Sequence, residues 1–151
     1  MTEISFYQLT KTPLNKALPQ LLEKILSSGN RAVLIAKKEE NLKDIDTFLW
    51  SYSTIRVVPH GTKEDGYSEE QPVYLTLNEE NPNNSDVLVM TGGSEPNFIK
   101  SFSRCLDIFD GNNEEELSMA RERWKKYSNS NEDLTLSYWK QNEKGSWEKS
   151  Q

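Results

Sequence analysis

The single histidine and the single cysteine are the residues of this 151-residue chain best suited to nucleophilic chemistry. A cysteine beside a histidine can act as an activated nucleophile. Here, however, His60 stands between Pro59 and Gly61, a setting typical of a turn or a partner contact. Cys105 lies in an apolar run, where a free cysteine usually behaves as a small buried hydrophobe. The sequence therefore predicts no catalytic residues and a protein that is not itself an enzyme.

Two loops could in principle hold a ligand. The segment Thr-Gly-Gly-Ser at residues 91–94 follows an apolar run, where α/β proteins place phosphate-binding loops. Neither G-x-G-x-x-G nor G-x-x-x-x-G-K-[ST] occurs in the chain, so a tight turn is favoured over a nucleotide site. The acidic loop at residues 61–72 could attract a metal ion, but spaced carboxylates in a loop are usually only solvated. We predict neither a cofactor nor a metal.

The strongest candidate site is basic. Residues 121–126 read Arg-Glu-Arg-Trp-Lys-Lys in a chain with 18 Lys+Arg, 24 Asp+Glu and a net charge of -6. On a helix, Arg121 stands beside Trp124 and Lys125. The stripe Leu117, Ala120, Trp124 and Tyr127 could simply face the core, with the basic flank in solvent. Alternatively, arginine and tryptophan together form a site for an anionic partner that carries an aromatic anchor.

Two kinds of partner fit such a site. Single-stranded nucleic acid would stack bases on the aromatic ring and place phosphates on the basic groups. An acidic peptide would offer an apolar residue and a free carboxylate. The negative net charge favours the peptide, because a long phosphate track needs many basic residues. A small enzyme using residues 91–95 or His60 is the third hypothesis.

Apolar periodicity gives the elements that must position these residues. Strand-like runs cover residues 4–9, 31–36, 55–58, 72–77, 86–90 and 104–109. Helical patterns cover residues 14–26 (beginning or kinked at Pro19), 42–49 and 114–127, with a short helix at 96–102. Residues 134–147 suggest a hairpin around Gly145. The alternation predicts one α/β layered domain over residues 1–151, with a mostly parallel sheet, helices on both faces and a frayed end.

The sequence has no apolar run long enough to span a membrane, and its start lacks the layout of a signal peptide. We therefore expect a cytoplasmic protein. Segments along most of the chain then resemble the chi subunit of bacterial DNA polymerase III. The resemblance includes Ile4–Tyr7, Val58–Gly61, Arg104–Gly111, Ala120–Tyr127 and Tyr138–Lys140. Their order and spacing together are more specific than any one segment.

The resemblance implies a Rossmann-like α/β domain without nucleotide chemistry. It implies a non-catalytic accessory subunit of the clamp-loader complex, which tethers the polymerase to single-stranded DNA-binding protein (SSB) at the replisome, with mainly indirect DNA contact. The SSB partner segment is an acidic, Phe-terminated C-terminal tail. By position, Arg121 corresponds to the residue that receives the terminal carboxylate. The remaining implied tail-binding residues are Trp124, Trp50, Phe109, Asp110 and Lys125.

A second implied partner is the psi subunit or an equivalent, contacted through Val57, Pro59 and His60. Relatives can carry a larger aromatic residue at the position of Val57. Where some relatives have a lysine one helical turn before the arginine, this chain has Leu117, so Lys125 or Arg123 is expected to supply that charge. Direct single-stranded nucleic-acid binding by the helix at residues 121–126 is kept as the alternative function.

Overall fold

The computed structural model describes residues 1–51 and 58–150. Three α-helices occur within these residues: α1 (Leu14–Ser27), α2 (Glu39–Ser51) and α3 (Glu114–Ser128). The strands in the same part of the chain are β1 (Thr2–Leu9), β2 (Ala32–Ile35), β3 (Val73–Thr76), β4 (Val87–Thr91), β5 (Arg104–Asp110), β6 (Leu134–Gln141) and β7 (Trp147–Lys149). None of the described helices is both long and apolar enough to cross a bilayer.

The strands form one seven-stranded sheet in the order β3-β2-β4-β5-β1-β6-β7. Each neighbouring pair is parallel except β6 and β7, which form the antiparallel hairpin predicted at the C-terminal end. The predicted α/β fold with a mostly parallel sheet is confirmed. The order differs from that of dinucleotide-binding domains, in which β1 lies beside β2. The likeness to those domains is therefore in the layers.

The sheet separates two hydrophobic layers, and this separation decides which helices share a site. Buried residues of α1 and α2 pack on one face, including Leu18, Leu22 and Leu49. Ala120 and Tyr127 of α3 pack on the other face, with Leu117 and Trp124 partly buried beside them. The stripe on α3 therefore faces the core at Ala120 and Tyr127, whereas Leu117 and Trp124 keep part of their surface exposed. Side chains of α2 and α3 lie on opposite sides of the sheet.

The sequence of α3 favours a helix at both ends. The Asn113 side chain accepts a hydrogen bond from the Glu116 N–H at 3.1 Å, which caps the first turn. Acidic residues fill the first turn and Lys125 and Lys126 the last, so the charges complement the helix dipole. Because β5 and β6 both run parallel to β1, α3 must run in the opposite direction to connect them.

Several predicted boundaries change. Helix α1 begins at Leu14, five residues before Pro19, and continues through that buried proline despite its missing N–H. The predicted helix at 96–102 is only a single 3₁₀ turn, Ile99–Ser101. The predicted strand at 55–58 falls largely outside the described residues. Near the end of the chain, the Ser150 N–H donates to the Tyr138 carbonyl at 2.7 Å, where the sequence suggested fraying.

Candidate functional site

A pocket of about 280 Å³ lies between α3 and the part of the sheet formed by β1 and β6. Its lining comes from three elements: Gln8 of β1, Arg121, Trp124 and Lys125 of α3, and Tyr138 and Lys140 of β6. Pockets for drug-sized ligands range over roughly 300–1,000 Å³. At about 280 Å³ this pocket lies just below that range and has room for a small group.

The apolar part of the pocket is a packed aromatic cluster. The Trp124 ring stands edge-on to Phe6, at 5.3 Å between centroids, and edge-on to Tyr138, at 5.5 Å. The Phe6 and Tyr138 rings lie parallel, with their centroids 6.2 Å apart. The Phe109 ring packs edge-on to Tyr138, also at 6.2 Å between centroids. Such contacts hold the rings in fixed orientations. The pocket therefore presents a preformed aromatic surface.

The polar groups around this surface converge on Tyr138. Its hydroxyl donates to Oε1 of Gln8 at 2.5 Å, and Nζ of Lys140 lies 5.9 Å from its ring centroid. Burial raises the pKa of the Tyr138 hydroxyl, and the charge of Arg121 opposes that rise. The phenol is therefore neutral at physiological pH and available as a hydrogen-bonding group beside Arg121.

The pocket is cationic because two of the basic residues of α3 line it, while the other two form ion pairs elsewhere. Arg121 and Lys125 line it, and neither has an ion-pair partner within residues 1–51 and 58–150. Lys126 instead pairs with Glu95 at 2.8 Å. Among the described residues, no carboxylate lines the pocket. The arrangement therefore attracts an anionic group.

Arg123 is the exception that the sequence could not reveal. Its side chain is only 2% exposed, with Nε 2.7 Å and Nη2 2.8 Å from the two carboxylate oxygens of Asp107 on β5. This two-bond pairing occupies the guanidinium inside the protein. The expectation that Arg123 could replace the missing charge at Leu117 is therefore wrong.

Trp50 lies elsewhere. It is 54% exposed at the end of α2, on the face of the sheet opposite α3, and its ring contacts His60 at 4.4 Å between centroids. His60 itself is buried: its Nδ1–H donates to the Val58 carbonyl at 2.7 Å, and Nε2 lies 2.8 Å from Asp46 Oδ1. The structure does not bring Trp50 into the pocket with Trp124, because the sheet separates them.

The other predicted site residues are divided between positions. Phe109 is buried beneath Tyr138 and supports the pocket without lining it. Asp110 is exposed at the end of β5, where its carboxylate accepts from the Asn112 N–H at 2.9 Å. It does not line the pocket. Pro59 is exposed beside His60, and Val57 lies outside the described residues.

A larger cleft of about 1010 Å³ opens at the carboxyl ends of β1, β2, β4 and β5. Thr91, Gly92 and Gly93 of the glycine turn line it, and both glycines have positive φ. The Ser94 N–H closes the turn by donating a hydrogen bond to the Thr91 carbonyl. This is the tight turn that the sequence favoured. Acidic residues face the same cleft: Glu40, Asp44, Asp110, Glu115 and Glu116. Lys11, Lys37 and Lys38 line it as well, so the cleft carries charges of both signs with the acidic ones in excess.

The candidate nucleophile and base are far from forming a catalytic pair. Burial raises the pKa of the Cys105 thiol to about 12, and its sulfur contacts the Ile99 carbonyl. The thiolate is the reactive form of cysteine, so this residue is inert at neutral pH. The two ring nitrogens of His60 are hydrogen-bonded to the Val58 carbonyl and the Asp46 carboxylate. In the described portion of the chain, no group of three His, Cys, Asp or Glu residues is placed to hold a metal ion.

Three lining residues escaped the sequence analysis: Gln8, Tyr138 and Lys140. The alternation of side chains along a strand could have indicated two of them, since residues 138 and 140 point to the same face of one strand. Residue 8 points to the same face because Gln8 and Lys140 are register partners across β1 and β6. That pairing joins positions more than 130 residues apart. It becomes visible only once the parallel sheet is formed.

The fold and the pocket together define an α/β domain with a small cationic pocket on an aromatic surface. Comparison with known proteins agrees on the family. Residues 1–135 match the family described as DNA polymerase III chi subunit, HolC. The chain is 31% identical over 117 residues to the probable DNA polymerase III subunit chi of Rickettsia prowazekii (strain Madrid E), covering 73% of this chain and 71% of that protein.

The chain is also 29% identical over 111 residues to the DNA polymerase III subunit chi of Pseudomonas aeruginosa, covering 72% of this chain and 77% of that protein. It therefore belongs to the DNA polymerase III chi subunit family. Its role is in DNA replication, as an accessory subunit of a polymerase complex.

Proposed function

We propose that this protein tethers the clamp-loader part of the polymerase complex to SSB by binding the acidic, Phe-terminated C-terminal tail of SSB. It acts in the cytoplasm at the replisome, performs no catalysis and contacts DNA mainly indirectly. The observation that carries the proposal is the cationic pocket with an aromatic floor in a chain of net charge -6. Positively charged side chains converge there around a space that can take one aromatic ring, and no carboxylate of the described residues lines it.

The pocket matches the tail group by group. The terminal phenyl ring packs on Trp124 and Tyr138, which are already held by Phe6. The terminal carboxylate pairs with Arg121, whose planar fork suits a carboxylate. Upstream aspartates meet Lys125, one helical turn along α3. The binding free energy comes from burial of the phenyl ring and from charge-assisted hydrogen bonds to Arg121 and Lys125. Neither of these two cations is already paired with a carboxylate of the described residues.

The alternative, direct binding of single-stranded nucleic acid, is less well supported. It needs a continuous basic track along α3. Two of the four basic residues at 121–126 are engaged elsewhere, Arg123 with Asp107 and Lys126 with Glu95. The remaining cations surround one pocket.

A second partner surface is proposed at Trp50 and Pro59, for a psi-type subunit. Trp50 is the large exposed aromatic side chain at this position, and buried His60 supports its ring. Exposed tryptophans are common binding hot spots. This surface and the pocket beside α3, which we call the tail pocket, lie on opposite faces of the sheet. Both partners can therefore bind at once.

Calorimetric titration with a short, Asp-rich peptide ending in Phe tests the tail proposal. Arg121→Ala should raise the Kd by roughly 10–100-fold, because a charge-assisted bond contributes about 1.5–3 kcal/mol. Removing the terminal Phe from the peptide should have an effect of similar size. Lys16→Ala, which removes an exposed cation on α1, is the matched control and should leave the Kd unchanged.

Unchanged affinity in Arg121→Ala, with the wild-type protein binding the peptide, would contradict the proposed pocket. If the wild-type protein ignores the peptide but binds a single-stranded oligonucleotide with steep salt dependence, the alternative function is correct.

A further inference from the structure

The lining of the tail pocket includes a cation from outside the helix that the sequence singled out. Lys140 is exposed on β6, beyond residue 135 at which the family match ends. Its Nζ lies over the Tyr138 ring, 5.9 Å from the centroid. Tyr138 is also the group that Arg121 influences electrostatically. The two cations therefore approach the same aromatic ring from different elements.

The direction of α3 shows which end of the pocket Lys140 occupies. Because α3 runs opposite to β6, going from Arg121 back to Leu117 moves about 6 Å toward the carboxyl end of β6. Going from Tyr138 to Lys140 moves about 7 Å in the same direction. Leu117 packs into the core and supplies no charge. Lys140 therefore occupies the end of the pocket at which α3 offers no cation.

The strand that carries Lys140 is held firmly for a segment so near the chain end. The carboxamide oxygen of Gln141 accepts three N–H bonds, from Thr10 at 2.9 Å, Lys11 at 2.9 Å and Thr12 at 3.2 Å. Its amide group donates to the Thr12 hydroxyl and the Gly145 carbonyl. On the other side, β7 pairs Glu148 with Lys140. The backbone of Lys140 is thus preorganised before any ligand binds.

From this geometry we infer that Lys140 determines specificity for a free C-terminal carboxylate. It shares that carboxylate with Arg121 across the Tyr138 ring, while Lys125, one turn away on α3, meets side-chain carboxylates further up the peptide. The inference rests on the proposed function, since it names how the same pocket tells a chain terminus from an internal acidic segment. The C-terminal hairpin then completes the site.

The test crosses protein variants with peptide variants in calorimetric titrations. The probes are the Asp-rich, Phe-terminated peptide as the free acid, the same peptide with an amidated C-terminus, and one with its aspartates changed to asparagine. Lys140→Met should weaken the free acid roughly fivefold, the upper range for an exposed ion pair. It should leave the affinity for the amidated peptide unchanged. Lys140→Arg should retain binding.

Lys144→Met, in the turn of the same hairpin, is the matched control and should behave as the wild type. Lys125→Met should show the opposite pattern, losing affinity for the acid and the amide alike but not for the asparagine peptide. Thermal unfolding of each variant establishes that the hairpin is intact.

The outcomes separate the two claims. If the wild type binds, Arg121→Ala raises the Kd by roughly 10–100-fold and Lys140→Met matches Lys144→Met, the role of Lys140 is wrong while the proposed function stands. An equal loss for the free acid and the amide in Lys140→Met also overturns the carboxylate assignment. If the wild-type protein does not bind the free acid at all, the proposed function fails, and the inference fails with it.

Discussion

Two depressions in the described part of the protein, one large and one small, differ in the chemistry of their lining. The cleft at the carboxyl ends of the strands, about 1010 Å³, lies where α/β proteins usually bind ligands, yet five carboxylates face it. The pocket beside α3, about 280 Å³, is lined by cations and aromatic rings without a carboxylate. The comparison teaches that a fold can keep the crevice of its class and still gather its cationic and aromatic side chains elsewhere.

The largest expected effect concerns Arg123, the basic residue of α3 that lines the cleft. Asp107→Asn should lower the free energy of unfolding by about 3 kcal/mol, because it leaves a buried guanidinium without a counter-charge. Urea denaturation measures the loss. Glu95→Gln, which breaks the exposed pair with Lys126, should cost less than about 1 kcal/mol.

Equal losses in these two variants would show that Arg123 is not committed to the interior. The contrast between a sequestered Arg123 and an available Arg121 would then fail. The double variant Asp107→Leu/Arg123→Met should recover most of the stability, since well-packed apolar pairs can replace buried ion pairs.

The second prediction concerns Gly111, which lies next to Gln8 of the pocket and Leu9 of the cleft. A Cβ on Gly111 would lie 2.4 Å from Gln8 Cγ and 2.8 Å from the Leu9 carbonyl. Gly111→Ala should therefore lower the free energy of unfolding by about 1–3 kcal/mol and, by displacing Gln8, weaken peptide binding several-fold. Denaturation and calorimetry measure the two effects.

The control for this variant is Gly66→Ala, where the added methyl group meets no atom but φ is +73°. It should cost about 1–3 kcal/mol through backbone strain and leave the peptide affinity unchanged. A Gly111→Ala protein with unaltered peptide binding would show that Gln8 does not shape the pocket.

A smaller effect is expected inside the pocket. Tyr138→Phe removes the hydroxyl that donates to Gln8, so unfolding free energy should fall by about 1 kcal/mol. Denaturant titration provides the value. Tyr67→Phe, at a side chain 78% exposed in the acidic loop, should have no measurable effect. A similar loss in both would mean that the Tyr138 hydroxyl is not structurally engaged.

The smallest effect is expected in the cleft. Lys37 and Lys38 line it at the end of β2, three strand spacings of about 4.8 Å from β1. Solvent and salt screen charges at that separation. Lys37→Glu/Lys38→Glu should therefore leave the Kd for the tail peptide within about twofold of the wild type in calorimetry. A loss as large as that of Arg121→Ala would assign the peptide to the cleft.

Local patterns predicted much of the fold. The period of apolar residues located α1, α3 and most strands, and the mixture of these elements indicated the mostly parallel sheet. The end of each element was less predictable. Helix α1 passes through Pro19, because the apolar residues around it are buried against the sheet and compensate for the lost hydrogen bond. That compensation is a tertiary contact and leaves no local signal.

The candidate site shows the same division. Spacing along one helix correctly placed Arg121, Trp124 and Lys125 together, since residues three and four apart share a helical face. The resemblance grouped Trp50 with them, but α2 and α3 pack on opposite faces of the sheet. Nothing in the spacing of Trp50 and Trp124 says which side of the sheet each helix covers.

The sequence by itself determined the acidic character of the chain, the basic helix at residues 121–126 and the absence of the common nucleotide-binding motifs. Only the tertiary structure decided which basic residues are available: it buried Arg123 against Asp107 and brought Lys140 and Gln8 to the pocket. The physical reason is that charges are neutralised, and pockets are closed, by contacts between distant segments. Local periodicity cannot encode those contacts, whereas strand pairing and helix packing establish them.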